Sequence, residues 1–206
     1  MQILSLKKDK LHLTRLSLSN GEDILIDNDV CAEKCLKAGD DLSETELCDL
    51  VFQSQYTRAK SRAVWYLDRK DRTSNELYKR LVEGGFDKKA SAKVIARLTE
   101  VGLIDDRRFA ENYRDRLLSD NVSKRAALQK LLQKGVSYDL AKEVLRDLEV
   151  DEVQQITELL DRKYRTKLTA DGGVQRVYAA LIRRGFSYGA AKEALKNYTE
   201  IEDFYV

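Results

Sequence analysis

The chain has 206 residues, of which 43% are apolar and 35% are charged, and its 37 basic residues nearly cancel its 35 acidic ones. This composition predicts a globular protein with a sizeable core and excludes a disordered chain. The net charge of +2 indicates no class of partner by itself. Proline is absent and only 10 glycines are present, which favours continuous helices over β-sandwiches and long loops.

The cysteines and the hydropathy of the sequence indicate where in the cell the protein is expected. The three cysteines are odd in number, confined to residues 31–48 and preceded by no leader, so we expect a cytoplasmic protein whose thiols are buried in the core. The longest stretch free of charge, residues 50–57, has 8 residues. A membrane span needs about 20, so no transmembrane segment is predicted.

Residues 2–27 alternate between apolar and polar positions, which predicts two or three short strands in an antiparallel meander. The turns are expected at residues 7–10 and 19–22, and the second turn carries Asn-Gly, a strong hairpin signal. A short helix is predicted from Asp29 to Ala38, closed by Gly39. A second begins near Ser43, where Glu46 completes a capping box. The rest of the chain is predicted to be helical.

Three glycine-containing triplets recur at a spacing of 50 residues, at residues 85–87, 135–137 and 185–187. On both sides of each triplet, apolar residues recur at steps of three and four, which indicates two flanking helices. In each copy we expect the glycine (Gly85, Gly135 or Gly185) to end one helix in a left-handed conformation, the apolar residue to pack back, and Asp or Ser to cap the next helix. We call this arrangement the helix corner.

A third helix precedes each corner. Leu-Asp-Arg-Lys begins 18 residues before Gly85 but 25 before Gly185, so the third copy is predicted to carry an insertion, a loop over residues 165–173. Between the first two copies, Gly102 is expected to stop a helix, Asp105 to cap the next, and Ile104 to pack against Phe109.

These patterns predict a mainly α fold, with three tandem three-helix repeats in an elongated, curved array behind a small N-terminal β-meander. The expected divisions are residues 1–50 for the meander with short helices, then 58–100, 105–149 and 152–200 for the three repeats.

The charges are distributed unevenly. Residues 1–50 carry 6 basic and 11 acidic groups, whereas residues 51–100 carry 12 and 6. Clustered long cations neutralise phosphates, so nucleic-acid contact is one interpretation, and ordinary solvated helix faces are the other.

The candidate contact residues, chosen by charge grouping alone, are Arg58, Arg62, Arg69, Lys70, Arg72, Lys79, Arg80, Arg107, Arg108, Lys124, Arg125, Arg162, Lys163, Arg165, Arg183 and Arg184. Neighbouring aromatic residues, Trp65 and Tyr66 among them, are expected in the core, with base stacking as the alternative.

The residues needed for common enzyme chemistry are missing. His12 is the single histidine, which excludes Ser-His-Asp, Cys-His and multi-histidine metal sites. The Gly-Gly pairs lack the residues of a phosphate-binding loop. We therefore predict no catalytic residues, no metal and no cofactor.

The repeat, together with Leu67-Asp-Arg-Lys…Leu81-x-x-x-Gly85 and Gly102-Leu-Ile-Asp-Asp-x-x-Phe-Ala, resembles the RecX family of bacterial recombination regulators over residues 58–198. The resemblance implies a non-enzymatic regulator in DNA repair and the SOS response. Such a protein binds the RecA filament on single-stranded DNA and inhibits its growth, ATP hydrolysis and strand exchange. The implied partners are RecA and single-stranded DNA, with double-stranded DNA left open, no membrane, and a monomeric state expected.

Two other functions stay open on the sequence alone. One is a transcription regulator that places a helix hairpin in the major groove of duplex DNA. The other is a helical protein-interaction scaffold, for which salt-dependent DNA binding is not expected.

Overall fold

The computed structural model describes residues 1–196 and 198. The chain begins with three strands, β1 (Ile3–Lys8), β2 (Leu13–Leu18) and β3 (Asp23–Asp27), which pair antiparallel in the order β1-β2-β3. This is the predicted meander. Its first turn lies later than expected, because Lys7 and Lys8 stay in β1 and the chain reverses at residues 9–12. Leu11, expected in a strand, lies in that turn and is 88% exposed.

The first helix, α1 (Asn28–Glu33), is shorter than the sequence suggests. Cys35 adopts a left-handed conformation (φ 51°), and the Leu36 N–H donates to the Cys31 carbonyl, a bond that closes the helix end. Glycine usually fills this position, so the sequence carries no signal for the stop. Cys31 is buried but Cys35 and Cys48 are exposed, so the expectation of three buried thiols is wrong for two of them.

Helix α2 (Glu44–Arg69) begins with the predicted capping box, in which Ser43 and Glu46 bond each other's backbone N–H groups. Leu50 near its start packs in the core beneath the sheet. Ala59 and Ala63 near its end pack in a second core with the next two helices. One continuous helix therefore contributes to both cores, and the boundary expected between residues 50 and 58 lies inside it.

Helices α3 (Ser74–Glu83) and α4 (Lys88–Glu100) complete the first copy around Leu77, Leu81 and Val94. Thr73 caps α3 by accepting from the Glu76 N–H. The chain divides into two compact units, and the first ends at Asp105.

The second unit starts at Asp106 and contains two cores. One core is formed by α5 (Asp106–Ser119), α6 (Lys124–Gln133) and α7 (Tyr138–Val144). The other is formed by α8 (Glu152–Leu159), a π-helical turn (Leu160–Tyr164), α9 (Arg165–Leu168), α10 (Gly173–Arg183) and α11 (Tyr188–Lys196).

All three corner glycines have left-handed backbones, with φ between 85° and 86°. The residue after each glycine donates its N–H back to a leucine carbonyl of the preceding helix, at Leu81, Leu131 and Leu181. Asp87, Ser137 and Ser187 then accept from the backbone N–H three residues later, as N-caps do.

The extra residues of the third copy are not all loop. They extend the first helix through the π-helical turn and α9, and only residues 169–172 form a turn before α10. The π-helical turn keeps Leu160 and Tyr164 in the same core as Ile156 and Leu159 of α8. The predicted end of this copy at residue 200 lies outside the described residues.

The fold class predicted from the sequence, mainly helical with a small N-terminal antiparallel sheet, is confirmed. Over the part of the chain that the structure describes, we find no helix with both the length and the apolar character needed to cross a bilayer.

Candidate nucleic-acid interface

The second half of α2 carries two adjacent aromatic rings surrounded by arginines. Trp65 and Tyr66 meet edge to face, with ring centroids 5.3 Å apart. The Arg69 guanidinium carbon lies 3.4 Å from the Trp65 ring centroid, and that of Arg62 lies 5.2 Å from it. Both are within the roughly 6 Å over which a cation is attracted to an aromatic face.

The helical repeat explains this arrangement. Arg58, Arg62, Trp65 and Arg69 follow one another at steps of four, three and four, and therefore share one face of α2. The small residues Ala59 and Ala63 occupy the buried face and let α2 lie close to its neighbours. The large and charged side chains of this half of α2 therefore lie together on its exposed face.

The segment before α3 and α3 itself each place one arginine beside Tyr66. The guanidinium carbons of Arg72 and Arg80 lie 5.6 and 5.8 Å from its ring centroid. Both arginines also pair with one carboxylate, Glu76, and the Arg80 contact measures 3.2 Å. We call the resulting set the Trp65 surface, and it comprises Arg58, Arg62, Trp65, Tyr66, Arg69, Arg72 and Arg80.

The cations of the Trp65 surface are not equivalent. Arg72 is only 13% exposed at its side chain and shares Glu76 with Arg80, so its charge is largely matched. Arg62 and Arg69 are exposed, and among the described residues no carboxylate pairs with either. The attraction for an external anion is therefore concentrated beside Trp65. Lys70 and Lys79 are exposed nearby in the sequence, without a ring contact in the described part of the chain.

A groove of about 450 Å³ runs along this face of the first unit. It is lined by the turn residues Leu11 and His12, by Asp27 and Asp29, by Phe86 at the first corner, and by α2 residues Thr57, Arg58, Ser61, Arg62 and Trp65. The acidic groups come from β3 and α1, so the positive potential of the groove is confined to the part formed by α2.

The candidate residues of the second unit fall into two groups. Some hold the fold together: Arg107 pairs with Glu143 at 2.9 Å, Lys124 donates to the carbonyls of Arg146 and Leu148, and Arg184 bonds the Tyr164 hydroxyl. The others are exposed on helix surfaces, namely Arg108, Arg125, Arg162, Lys163, Arg165 and Arg183.

The sequence predicted that the aromatic rings beside these cations lie in the core, and this is confirmed for Tyr66, which packs against the core of the first copy, but is wrong for Trp65. Trp65 is instead 43% exposed. The i, i+3, i+4 spacing with Arg62 and Arg69 was the available signal, since a tryptophan on the arginine face of a helix cannot lie on its alanine face.

The arrangement of the Trp65 surface is suited to binding nucleic acid. Guanidinium groups attract phosphates, and an exposed indole provides a face for a nucleobase. Within residues 1–196 and 198, no three histidine, cysteine or acidic side chains gather in a way that could hold a metal ion.

Comparison with known proteins identifies the family. A family model described as RecX, first three-helix domain, matches residues 59–98. Regulatory protein RecX of Streptococcus sanguinis is 30% identical over 199 residues, covering 96% of this chain and 76% of that protein. Regulatory protein RecX of Streptococcus pneumoniae serotype 19F is 33% identical over 196 residues, covering 94% and 76%. The chain belongs to the RecX family.

Solved structures show the same fold. A crystal structure of regulatory protein RecX superposes with a TM-score of 0.64 at 22% identity, covering 95% of this chain and 98% of that one. RecX from Lactobacillus salivarius superposes with a TM-score of 0.57 at 21% identity over 70% and 96%. The residues that match the RecX first-domain model include the whole Trp65 surface except Arg58.

Proposed function

We propose that this protein regulates the RecA recombinase. In this proposal it binds the RecA filament on single-stranded DNA and inhibits filament growth, ATP hydrolysis and strand exchange, without catalysing a reaction itself. The observation that carries the proposal is the Trp65 surface in a chain of the RecX family, where arginines without a carboxylate partner flank an exposed indole.

The chemistry of that surface favours single strands over duplexes. An exposed indole can stack on a base only where the base is unpaired, and base–aromatic stacking contributes about 1–3 kcal/mol. Arginines beside the ring bind the adjacent phosphates through charge alone, which carries no sequence information. Binding with little sequence preference suits a regulator of a filament that forms on any sequence.

The decisive measurement is ATP hydrolysis by RecA on single-stranded DNA, with the purified protein added at substoichiometric and equimolar ratios. We expect a dose-dependent fall in the steady-state rate. An unchanged rate at both ratios would contradict the proposal. Preferential binding to particular duplex sites would favour a transcription regulator, and an absence of salt-dependent DNA binding would favour a scaffold.

The Trp65 surface can be tested separately with the double variant R62Q/R69Q. It removes the two cations that lie against the Trp65 ring and have no carboxylate partner. We expect weaker binding to single-stranded DNA and a less steep salt dependence, by about 0.7 in the log–log slope for each phosphate that is no longer neutralised. The matched control is K60Q/K88Q, which removes two exposed charges from the same unit away from the rings. Equal weakening in both variants would assign Arg62 and Arg69 to general electrostatics.

Trp65 provides a direct readout because it is the single tryptophan of the chain. Single-stranded DNA bound at the Trp65 surface should quench its fluorescence, and R62Q/R69Q should need more DNA to reach the same quenching. Full binding by anisotropy without any change in Trp65 fluorescence would place the DNA elsewhere.

A further inference from the structure

The third copy contains a cleft of about 860 Å³ that the charge grouping did not identify. It opens between the π-helical turn with α9 on one side and α10 on the other. The residues that line it are Tyr164, Thr166, Lys167, Ala170, Gly173, Gln175, Arg176, Val177, Ala179, Ala180 and Arg183. Its volume lies in the range of about 300–1,000 Å³ that is typical of ligand sites.

The insertion of the third copy builds this cleft. Gly173 is buried at the start of α10, and a Cβ at this position would lie 2.0 Å from the Lys167 carbonyl oxygen. Only glycine therefore allows the end of α9 to approach α10 so closely. In the first copy, Leu-Asp-Arg-Lys begins only 18 residues before the corner glycine, compared with 25 in the third copy, so no residues are available for a segment like α9. The cleft is therefore specific to the third copy.

The charge of the cleft is of one sign. Lys167, Arg176 and Arg183 contribute three exposed cations, and none of the described lining residues is acidic. In the described part of the chain, no carboxylate forms an ion pair with any of the three. Three cations without a counterion around one opening create a local positive potential that attracts anions.

Arg176 is held in place by the backbone of the preceding turn. Its guanidinium donates to the carbonyls of Gly172, at 3.2 Å, and of Asp171. An arginine has five N–H donors, so several remain for an external oxygen. Because its position is fixed by the protein, it loses little conformational entropy when an anion binds.

The floor of the cleft offers no ring on which a base could stack. Tyr164 is buried, its hydroxyl is bonded by Arg184 Nε at 3.1 Å, and the Lys167 ammonium lies 5.6 Å from its ring centroid. Unlike Trp65, which is 43% exposed, Tyr164 is too deeply buried to stack on a base. The feature of the cleft that selects a ligand is therefore the charge of its three cations.

We propose that this third-copy cleft binds the phosphate backbone of single-stranded DNA, as a second contact separate from the Trp65 surface. The choice of DNA as the anion rests on the proposed function, whereas the site itself rests on the cleft. A single free phosphate ion would leave most of the cleft's volume of about 860 Å³ empty, whereas a stretch of nucleic-acid backbone would fill it.

The test uses the full chain without RecA, so its result does not depend on filament regulation. Binding of a fluorescein-labelled oligothymidylate is followed by anisotropy at several salt concentrations. The double variant K167Q/R183Q removes two cleft cations and should bind about three- to tenfold more weakly, with a log–log salt slope reduced by about 1.4. The matched control R162Q/K163Q removes two exposed cations from the adjacent π-helical turn, outside the cleft, and should keep more of the wild-type affinity and slope.

Lysine acetylation provides a readout that does not rely on substitution. Bound oligonucleotide should protect Lys167 from acetylation, as measured by mass spectrometry, and leave Lys163 reactive. Equally weakened binding in the two double variants, or equal acetylation of Lys167 with and without DNA, would overturn the proposal. Protection of Lys167 by millimolar inorganic phosphate but not by oligonucleotide would also overturn it, because the site would then be one for free phosphate.

This design separates the two proposals. If K167Q/R183Q weakens DNA binding while the wild-type protein leaves RecA ATP hydrolysis unchanged, the cleft is retained and RecA regulation is rejected. If RecA is inhibited but the variant binds DNA normally, the cleft is rejected and RecA regulation is retained.

Discussion

Gly85 and Gly185 occupy the same position of the helix corner and share the same backbone angle, φ 85°, yet their surroundings differ. Beside Gly85 a Cβ would meet open space. Beside Gly185 it would lie 2.8 Å from the Ser123 hydroxyl oxygen and 3.3 Å from the Ala126 nitrogen. The repeated sequence therefore reproduces the local conformation, while the neighbouring helix determines how much a substitution disturbs it.

The close neighbour of Gly185 is the start of α6. Ser123 is fully buried, caps α6 by accepting from the Ala126 N–H, and donates to the Arg184 carbonyl at 2.8 Å. One hydroxyl thus serves the second copy as a helix cap and the third copy as a hydrogen-bond donor. Within the second unit, the corner of the third copy is fastened to a helix of the second.

The largest expected effect comes from replacing each glycine by alanine. G85A should cost about 1–2 kcal/mol, the strain of an L-residue in the left-handed region. G185A should cost about 1–3 kcal/mol more, because its methyl group also displaces a packed neighbour. Urea unfolding followed by circular dichroism measures both, and Trp65 fluorescence reports on the first unit. Equal destabilisation by the two variants would remove the distinction between the corners.

The same comparison can be sharpened with the double variant S123A/G185A. Removing the Ser123 hydroxyl relieves the closest contact of the new methyl group, so the double variant should be more stable than the sum of the two single effects predicts. Strict additivity would show that the Ser123 contact is not the source of the extra cost.

The next effect concerns the caps themselves. S123A removes a cap and leaves the Arg184 carbonyl without this donor in a part-buried setting, so we expect a destabilisation of about 2 kcal/mol. Ser137 caps α7 from an exposed position, and S137A should cost about 0.5–1 kcal/mol. Thermal or urea unfolding would measure the difference. A larger effect for S137A would show that burial and the second bond do not decide the outcome.

These contrasts explain which parts of the fold the sequence could predict. The corners, their caps and the helix faces follow from spacing and residue type, which act locally. The contact of Gly185 with Ser123 could not be predicted, because it joins residues 62 positions apart with no periodic signal. The early end of α1 was missed because Cys35 adopts a conformation usually reserved for glycine, and the turn at Leu11 because apolar residues normally indicate a strand.

The candidate sites divide in the same way. Charge grouping found the cations of the Trp65 surface because they follow one another along α2 and α3. It missed Lys167 and Arg176, which are separated by the turn before α10 and reach the same cleft only through the close approach at Gly173. It also included Lys124 and Arg184, whose hydrogen bonds to neighbouring segments become visible only in three dimensions.

The three cysteines provide a smaller test of the same principle, that identical residues differ by their surroundings. Burial raises the pKa of the Cys31 thiol, whereas Cys35 and Cys48 are exposed. Because the thiolate is the reactive form, iodoacetamide should modify Cys31 at least about tenfold more slowly than the other two. Peptide mass spectrometry over time gives the three rates. Comparable rates in the folded protein would contradict the buried position of Cys31.

The smallest expected effect separates two serine caps by pH. Ser43 caps α2 together with Glu46, whereas Ala126 occupies the corresponding position after Ser123. Hydrogen bonds from the backbone N–H and then the hydroxyl of Ser43 lower the pKa of Glu46 below its usual 4.5. A carboxylate whose pKa is lower in the folded state than in the unfolded state stabilises the protein at pH values above its unfolded-state pKa. That stabilisation is lost as the pH falls through its folded-state pKa. The stability difference between wild type and E46Q should therefore be constant from about pH 7 to 5 and shrink below about pH 4, as measured by thermal unfolding. The difference between wild type and S123A should not change over that range, since no titratable group takes part in that cap. A constant E46Q difference down to about pH 3 would show that the two caps do not differ in this respect.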